Sequence, residues 1–153
     1  VAEHAFVIMP FATAFDDVYA TIKQAVRAVD RSIEAVRLDE VRSAGNITDD
    51  MVERLRSCTV CIADVTGANP NVMWEVGYAA ALQKPTVVLQ EGAAALPFDI
   101  SNVRALRYDR ADLTTSLGDP LVQAVTATLE RYAAVPARRP TPGSGSIAVT
   151  GWL

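Results

Sequence analysis

The chain has 153 residues, half of them hydrophobic and 21% charged, enough for one globular domain that buries about two-thirds of its unfolded surface. It holds no run of about 18 apolar residues to cross a membrane, and no cationic stretch ahead of an apolar one to act as a signal peptide. A net charge of −4 with dispersed Lys and Arg argues against a nucleic-acid groove, which needs a basic face.

Two cysteines and a single histidine, His4, argue against a disulfide scaffold, a Ser-His-Asp or Cys-His triad and a His-rich metal centre. They suit a reduced, cytoplasmic setting. Any catalysis then falls to carboxylates.

The pattern alternates strand and helix. Ala5 to Met9 is a continuous apolar run, as in a strand buried on both faces. Pro10 ends it. Thr13, with Asp16 three residues later, predicts a capped helix running to about Asp30, with Phe15, Val18, Ile22, Ala25, Val26 and Val29 on one face. Ser32 to Leu38 reads as a second strand and Asp39 to Gly45 as a polar loop. Thr48 is expected to cap a second helix, with Asp49 and Asp50 in its first turn and Met51, Val52 and Leu55 inward.

Thr59 to Ala63 is a third strand, followed by a turn-rich loop from Asp64. Asn69 suits an N-cap and Pro70 the first position of a third helix, Asn71 to Gln83. Pro85 to Leu89 is the fourth strand, Glu91 to Asn102 an Ala-rich loop, Val103 to Tyr108 a fifth strand, and Pro120 to Ala133 a closing helix. Strands separated by helices imply an α/β fold with a doubly wound parallel sheet. Five strands in the order 2-1-3-4-5, flanked by helices, are predicted.

The domain is expected to span residues 1–135. Residues 136–153 hold three of the eight prolines and three of the eight glycines, the composition of a linker or tail. Val1 at the start leaves a processed protein or a piece of a longer one as the expectations, and the tail favours the second, in which a fused partner domain would lie beyond it.

In an open parallel sheet, ligands bind beyond the carboxyl ends of the strands, where the strand order reverses. Pro10 and Phe11 follow the first strand. Arg37 and Asp39 follow the second. Asp64, Thr66, Asn69 and Asn71 follow the third, and Glu75 sits on the next helix. No G-x-G-x-x-G, P-loop or flavodoxin-type phosphate loop is present. A phospho-receiver needs acidic residues after the first strand and a Lys after the fifth; here stand Met9-Pro10-Phe11 and Arg110.

At about 100° per residue, Asn71, Glu75 and Tyr78 share one narrow face of an otherwise apolar helix. A carboxylate there must reach solvent, a partner or a substrate. Gly77 in that helix suggests close packing. Plainer readings stand beside these: a solvated face for Glu75, a turn cap for Asp64, an ion pair for Arg37 and Asp39. Cys58-x-x-Cys61 lies at a strand, where an offset of three places the side chains on opposite faces, so no metal or redox pair is predicted.

Several segments together resemble one family: FVIMPF (6–11), FDDVY (15–19), RLDE (37–40), GNITD (45–49), IADVTGANPNVMWEVGYA (62–79) and KPTVVL (84–89), with LPFD (96–99) as a further piece. They resemble the nucleoside 2-deoxyribosyltransferase-like domains, which are similar in fold to bacterial TIR-like domains. The resemblance covers about residues 5–110.

It implies N-glycosidic chemistry on a nucleoside, nucleotide or NAD, in a setting that includes bacterial defence and signalling proteins. Glu75 would be the nucleophile and, near a helix start, would stay ionised. Asp64, Asp39 and Asn71 would position ribose and base, with Phe11 walling the pocket and Pro10, Thr66 and Asn69 alongside. The nucleotide would be a substrate, so no cofactor is implied. Self-association into a homo-oligomer is expected, in line with the Ala-rich third helix and the loop Gly92 to Pro97. The alternative is a nucleotide-binding sensor or assembly module on the same pocket, without turnover; a third class is a purely structural interaction domain.

Overall fold

A computed structural model describes residues 3–40, 47–97 and 100–134. The tail 136–153, most of the loop after Asp39 and the Phe98-Asp99 piece lie outside the described residues. Five parallel strands form one sheet: β1 (His4–Ile8), β2 (Glu34–Arg37), β3 (Val60–Asp64), β4 (Thr86–Glu91) and β5 (Ala105–Tyr108). Their order is β2-β1-β3-β4-β5, the order expected. Four helices connect and flank them: α1 (Asp16–Val29), α2 (Ile47–Ser57), α3 (Pro70–Ala81) and α4 (Asp119–Ala134). Among the described residues no helix is long and apolar enough to cross a membrane.

The two-residue alternation of the strands divides the core. Ala5, Val7 and Met9 join Ile62 and Leu89 under α1 and α4, with Val18, Ile22, Leu117 and Leu121. Phe6, Ile8, Cys61, Ala63 and Val88 face the other way, under α2 and α3, with Met51, Leu55, Val72 and Val76. β1 and β3 are buried at every position because both faces are covered. This explains their unbroken apolar runs.

Three local expectations are corrected. Thr13 does not cap α1: Thr13–Phe15 forms a 3-10 turn of its own and α1 begins at Asp16. The Asp17 carboxylate serves the first turn instead, accepting from the Val18 amide at 2.8 Å. Thr48 lies inside α2, which already includes Ile47. Gly77 is not a point of close approach either: an added Cβ would meet no heavy atom within 4 Å.

Asn69 does cap α3. Its side-chain oxygen accepts from the amides of Asn71 at 3.0 Å and Val72 at 3.4 Å, with Pro70 in the first turn. The preceding turn passes through left-handed backbone at Gly67 (φ 73°) and Ala68 (φ 49°), which swings α3 back over the sheet.

Gly77 thus carries the entropic cost of glycine in a helix with no packing reason for it. Gly77→Ala should stabilise the protein by about 0.4–1 kcal/mol, read as a raised urea midpoint at unchanged slope. A loss of stability would show that something covers this position.

Candidate functional site

The carboxyl ends of β1, β2 and β3 open toward the first turns of α2 and α3. Between them lies a pocket of about 430 Å³. Phe11, after β1, and Leu38, after β2, form one side. Thr48 and Met51 come from α2, and Asn71, Trp74 and Glu75 from α3. The N-cap at Asn69 fixes where α3 starts, and so which residues of its first two turns overhang the pocket.

Glu75 is half-buried, and burial alone pushes its carboxyl up to about 7. Among the described residues no hydrogen bond or ion pair engages it. The expectation that the helix dipole keeps Glu75 ionised is corrected here. The dipole acts within the first turn, whereas Glu75 lies beyond it and the apolar walls of Phe11, Leu38 and Met51 take away solvent. At neutral pH the group is poised between its two forms.

Of the other anticipated residues, Phe11 and Asn71 line this pocket and five do not. Asp64 is fully buried at the end of β3. Its carboxylate accepts from the Thr66 amide at 3.0 Å, the Thr66 hydroxyl at 2.5 Å and the Tyr108 hydroxyl at 2.7 Å. Thr66 in turn accepts from the Glu91 amide at 2.9 Å. Both residues join strand ends, and neither lines this pocket. Asn69 spends its side-chain oxygen on α3.

Asp39 accepts two hydrogen bonds from the buried Arg37 guanidinium, at 2.7 and 2.8 Å. Asp16 stands 3.7 Å from the same group. Arg37 lies over the rings of Tyr19, at 4.6 Å, and Phe11, at 5.8 Å. It is an internal strut rather than the surface ion pair that the sequence allowed. Pro10, half-buried, turns the chain into Phe11 and is not among the lining residues.

Trp74, Met51, Thr48 and Leu38 were not anticipated as site residues. Met51 read as core and Thr48 as a cap, and nothing in the pattern tells a pocket wall from either. Trp74 was the readable signal: a tryptophan beside the singled-out Glu75. Tyr78, expected beside Glu75, packs with the layer under α3 and against Trp74, with ring centroids 5.8 Å apart.

Cys58 and Cys61 also depart from expectation. Cys58 precedes β3, so strand alternation does not govern it, and the two sulfurs lie 3.5 Å apart in the core. Their hydrogen bond lowers the Cys58 thiol and raises that of Cys61, which burial raises further. Both are free thiols at the end of the sheet opposite the pocket. Among the described residues no three His, Cys, Asp or Glu side chains gather as a metal would require.

The model of the nucleoside 2-deoxyribosyltransferase family matches residues 8–127. The chain belongs to that family. Its solved relatives share the fold at low identity. A 2-deoxyribosyltransferase from Bacillus psychrosaccharolyticus superposes with a TM-score of 0.57 at 10% identity, over 78% of this chain and 95% of that one. The CMP N-glycosidase of Clostridium botulinum gives 0.52 at 18% identity, over 82% and 99%. A 2-deoxyribosyltransferase from Leishmania mexicana gives 0.50 at 18%, over 68% and 73%. At such identities each likeness is one of fold. No curated protein matches the chain by sequence.

In this family member the two buried carboxyl groups make different predictions. Tyr108 donates into the buried Asp64, and burial together with that charge holds the Tyr108 hydroxyl well above its usual range. Tyr108→Phe leaves Asp64 short of a donor, and should cost about 2 kcal/mol in denaturant unfolding. An unchanged midpoint would show that water replaces the hydroxyl.

Glu75 runs the other way. Its folded carboxyl keeps its proton up to about pH 7, against an ordinary value of 4.5. The folded state therefore binds more protons in that window, and stability falls as pH rises through it. With the discount for partial exposure, the loss is about 1–2 kcal/mol. Glu75→Gln escapes it. Calorimetry should show the variant melting a few degrees higher at about pH 8.5 and level with the native protein at about pH 4. Equal melting at both would mean that the carboxyl is solvated.

Proposed function

We propose that this protein breaks the N-glycosidic bond of a nucleoside or nucleotide, with Glu75 acting at the anomeric carbon. The observation that carries this reading is a half-buried carboxyl with no partner among the described residues, set in a pocket at the sheet's switch point between two aromatic side chains. Membership of a family named for nucleoside deoxyribosyl transfer supports it, as does the fold shared with a CMP N-glycosidase.

Cleavage of a ribosyl–base bond passes through an oxocarbenium-like state. As the bond breaks, its electron pair leaves with the base and positive charge grows at the sugar. An ionised Glu75 stabilises that charge in a site where water screens little, or closes on the anomeric carbon as an ester. Water or an acceptor base then displaces the carboxylate, giving hydrolysis in one case and transfer in the other. A neutral departing base takes up a proton from solvent. A nicotinamide group, cationic in NAD, leaves without one. Asn71, one turn before Glu75 on α3 and in the same pocket, would in this reading hold a sugar hydroxyl.

The reading is tested by incubating native protein and Glu75→Gln with nucleosides, nucleoside monophosphates and NAD, with free base followed by chromatography. Native protein should release base from at least one class, and Glu75→Gln about a hundred- to a thousandfold more slowly. Because the carboxylate form is required, kcat/KM should rise with pH through about 7 and level off above it. Release by both proteins at equal rates would remove Glu75 from the mechanism. Saturable nucleotide binding without release would leave a sensor on the same pocket.

A further inference from the structure

The two cysteines carry chemistry that the proposed reaction does not use. Cys58 and Cys61 are the only cysteines of the chain, and their sulfurs lie 3.5 Å apart in the core. Among the described residues no third ligand joins them, so the pair lacks what a closed zinc site needs. Two reduced sulfurs in contact can instead share a bond.

Local structure gives each thiol its own part. Cys58 follows the last residue of α2, and its amide closes that helix on the Arg54 carbonyl at 2.9 Å. Its S–H donates to the Leu55 carbonyl at 3.3 Å, one of the helix-end carbonyls that lack an amide donor. With that proton spent, the hydrogen between the two sulfurs is the one on Cys61. Cys61 thus donates to the Cys58 sulfur, and this bond lowers the Cys58 thiol while it raises that of Cys61. The Lys84 ammonium, which donates to the carbonyls of Arg56 and Cys58, also favours a Cys58 thiolate.

Both sulfurs are buried, but the cover over Cys58 is thin. Arg56 and Ser57 are exposed and Thr59 is half-buried. Beyond them the junction is held by the Lys84 side chain and the last turn of α2. Helix ends open locally at small cost, and a small hydroperoxide is little larger than water. Cys61, inside β3 and in register with Thr86 of β4, stays fixed. Cys58 lies outside any strand, so its side chain is free to close the gap from contact to a bond of about 2 Å.

We propose that Cys58 and Cys61 form a reversible dithiol–disulfide site whose oxidant is a small hydroperoxide, with Cys58 as the attacking sulfur and Cys61 as the resolving one. With hydrogen peroxide, the Cys58 thiolate attacks one oxygen and the O–O bond breaks. The other oxygen takes up the proton that Cys58 released and departs as water. Cys61 then attacks the sulfenic acid left on Cys58. The S–S bond forms, the S–O bond breaks, and the hydroxyl leaves as water with the Cys61 proton. The two thiols are oxidised to one disulfide, and the peroxide is reduced to two waters. The new bond fastens the end of α2 to β3. This site is independent of the N-glycosidic reading of the Glu75 pocket.

The test counts thiols. Reduced protein is treated with a small excess of hydrogen peroxide, quenched, unfolded in urea and alkylated with N-ethylmaleimide, and the adducts are counted by mass spectrometry. Untreated protein should take two maleimides and treated protein none, with the chain still monomeric on a non-reducing gel. Dithiothreitol should restore both thiols. Cys61→Ser should stop at the Cys58 sulfenic acid, which dimedone traps. In Cys58→Ser the Cys61 thiol should be lost about tenfold more slowly, or not at all.

Circular dichroism verifies that the two variants fold, and the native protein decides the proposal without them. Treated native protein that still takes two maleimides, that is linked between chains, or whose thiols dithiothreitol does not restore overturns it. Loss of the Cys61 thiol in Cys58→Ser at the native rate overturns the assignment of Cys58 as the attacking sulfur.

Discussion

The position of the whole site depends on one buried carboxylate. Asp64, with no exposed surface, ends the central strand of the sheet. Burying an unpaired carboxylate is prohibitive, whereas one that accepts several good hydrogen bonds is tolerated. Asp64 finds its donors in Thr66, two residues on, and in Tyr108, at the end of the edge strand β5. Thr66 passes the connection to the end of β4 through the Glu91 amide. One carboxylate thus ties together the carboxyl ends of β3, β4 and β5. It also sets the turn through Gly67 and Ala68 after which Asn69 caps α3. Asp64, placed by the sequence at a strand end beside the expected site, is held between strands and sets where α3 starts.

That arrangement separates two carboxyl groups by environment. Asp64 is surrounded by donors. Glu75, eleven residues on in α3, stands among Phe11, Leu38, Met51 and Trp74 with burial as the one influence on its proton. Structural stability alone would favour removing such a group from α3, since an unpaired desolvated carboxylate opposes folding once ionised. Its retention makes sense where the charge is used against an electron-poor centre. There the same lack of water that raises its proton affinity strengthens its pull on a developing cation. In the proposed reaction stability and chemistry conflict at Glu75, as they commonly do at functional positions.

The fold was legible in the sequence because each of its causes is local. A strand covered on both faces shows as an unbroken apolar run, as in Ala5 to Met9. A helix start shows as Asn69-Pro70, and alternation of strand and helix restricts the sheet to a few orders. The site was legible only where periodicity reached it: Asn71 and Glu75 share a helix face, and Phe11 follows directly on β1. Sequence position could place Asp64 and Asp39 at strand ends but not tell how their side chains are engaged. The decisive partner of Asp64 is Tyr108, 44 residues away, and Arg37 binds Asp39 while covering rings from two other segments. Cys58 and Cys61 show a related limit: Cys58 lies before the strand even when it is begun at Thr59, and the rule of alternating faces does not extend to a residue outside it.

The two layers of the core further explain why the pocket lies where it does. Residues of β1 with odd numbers enter the layer under α1 and α4, where Tyr19, Ile22, Leu117 and Leu121 close the space with large side chains. Residues with even numbers face α2 and α3. On that side Ala63, Cys61 and Ala79 are small. An opening therefore remains at the strand ends between Leu38, Met51 and Trp74. A change of one residue in the register of β1 would exchange the two layers and set Phe6 and Ile8 against α1. The register pairs Val7 with Ile62 and Ile8 with Ala63. It thus decides on which face of the sheet a pocket can exist, and the capped start of α3 decides that Glu75 and Trp74 are the residues that enter it.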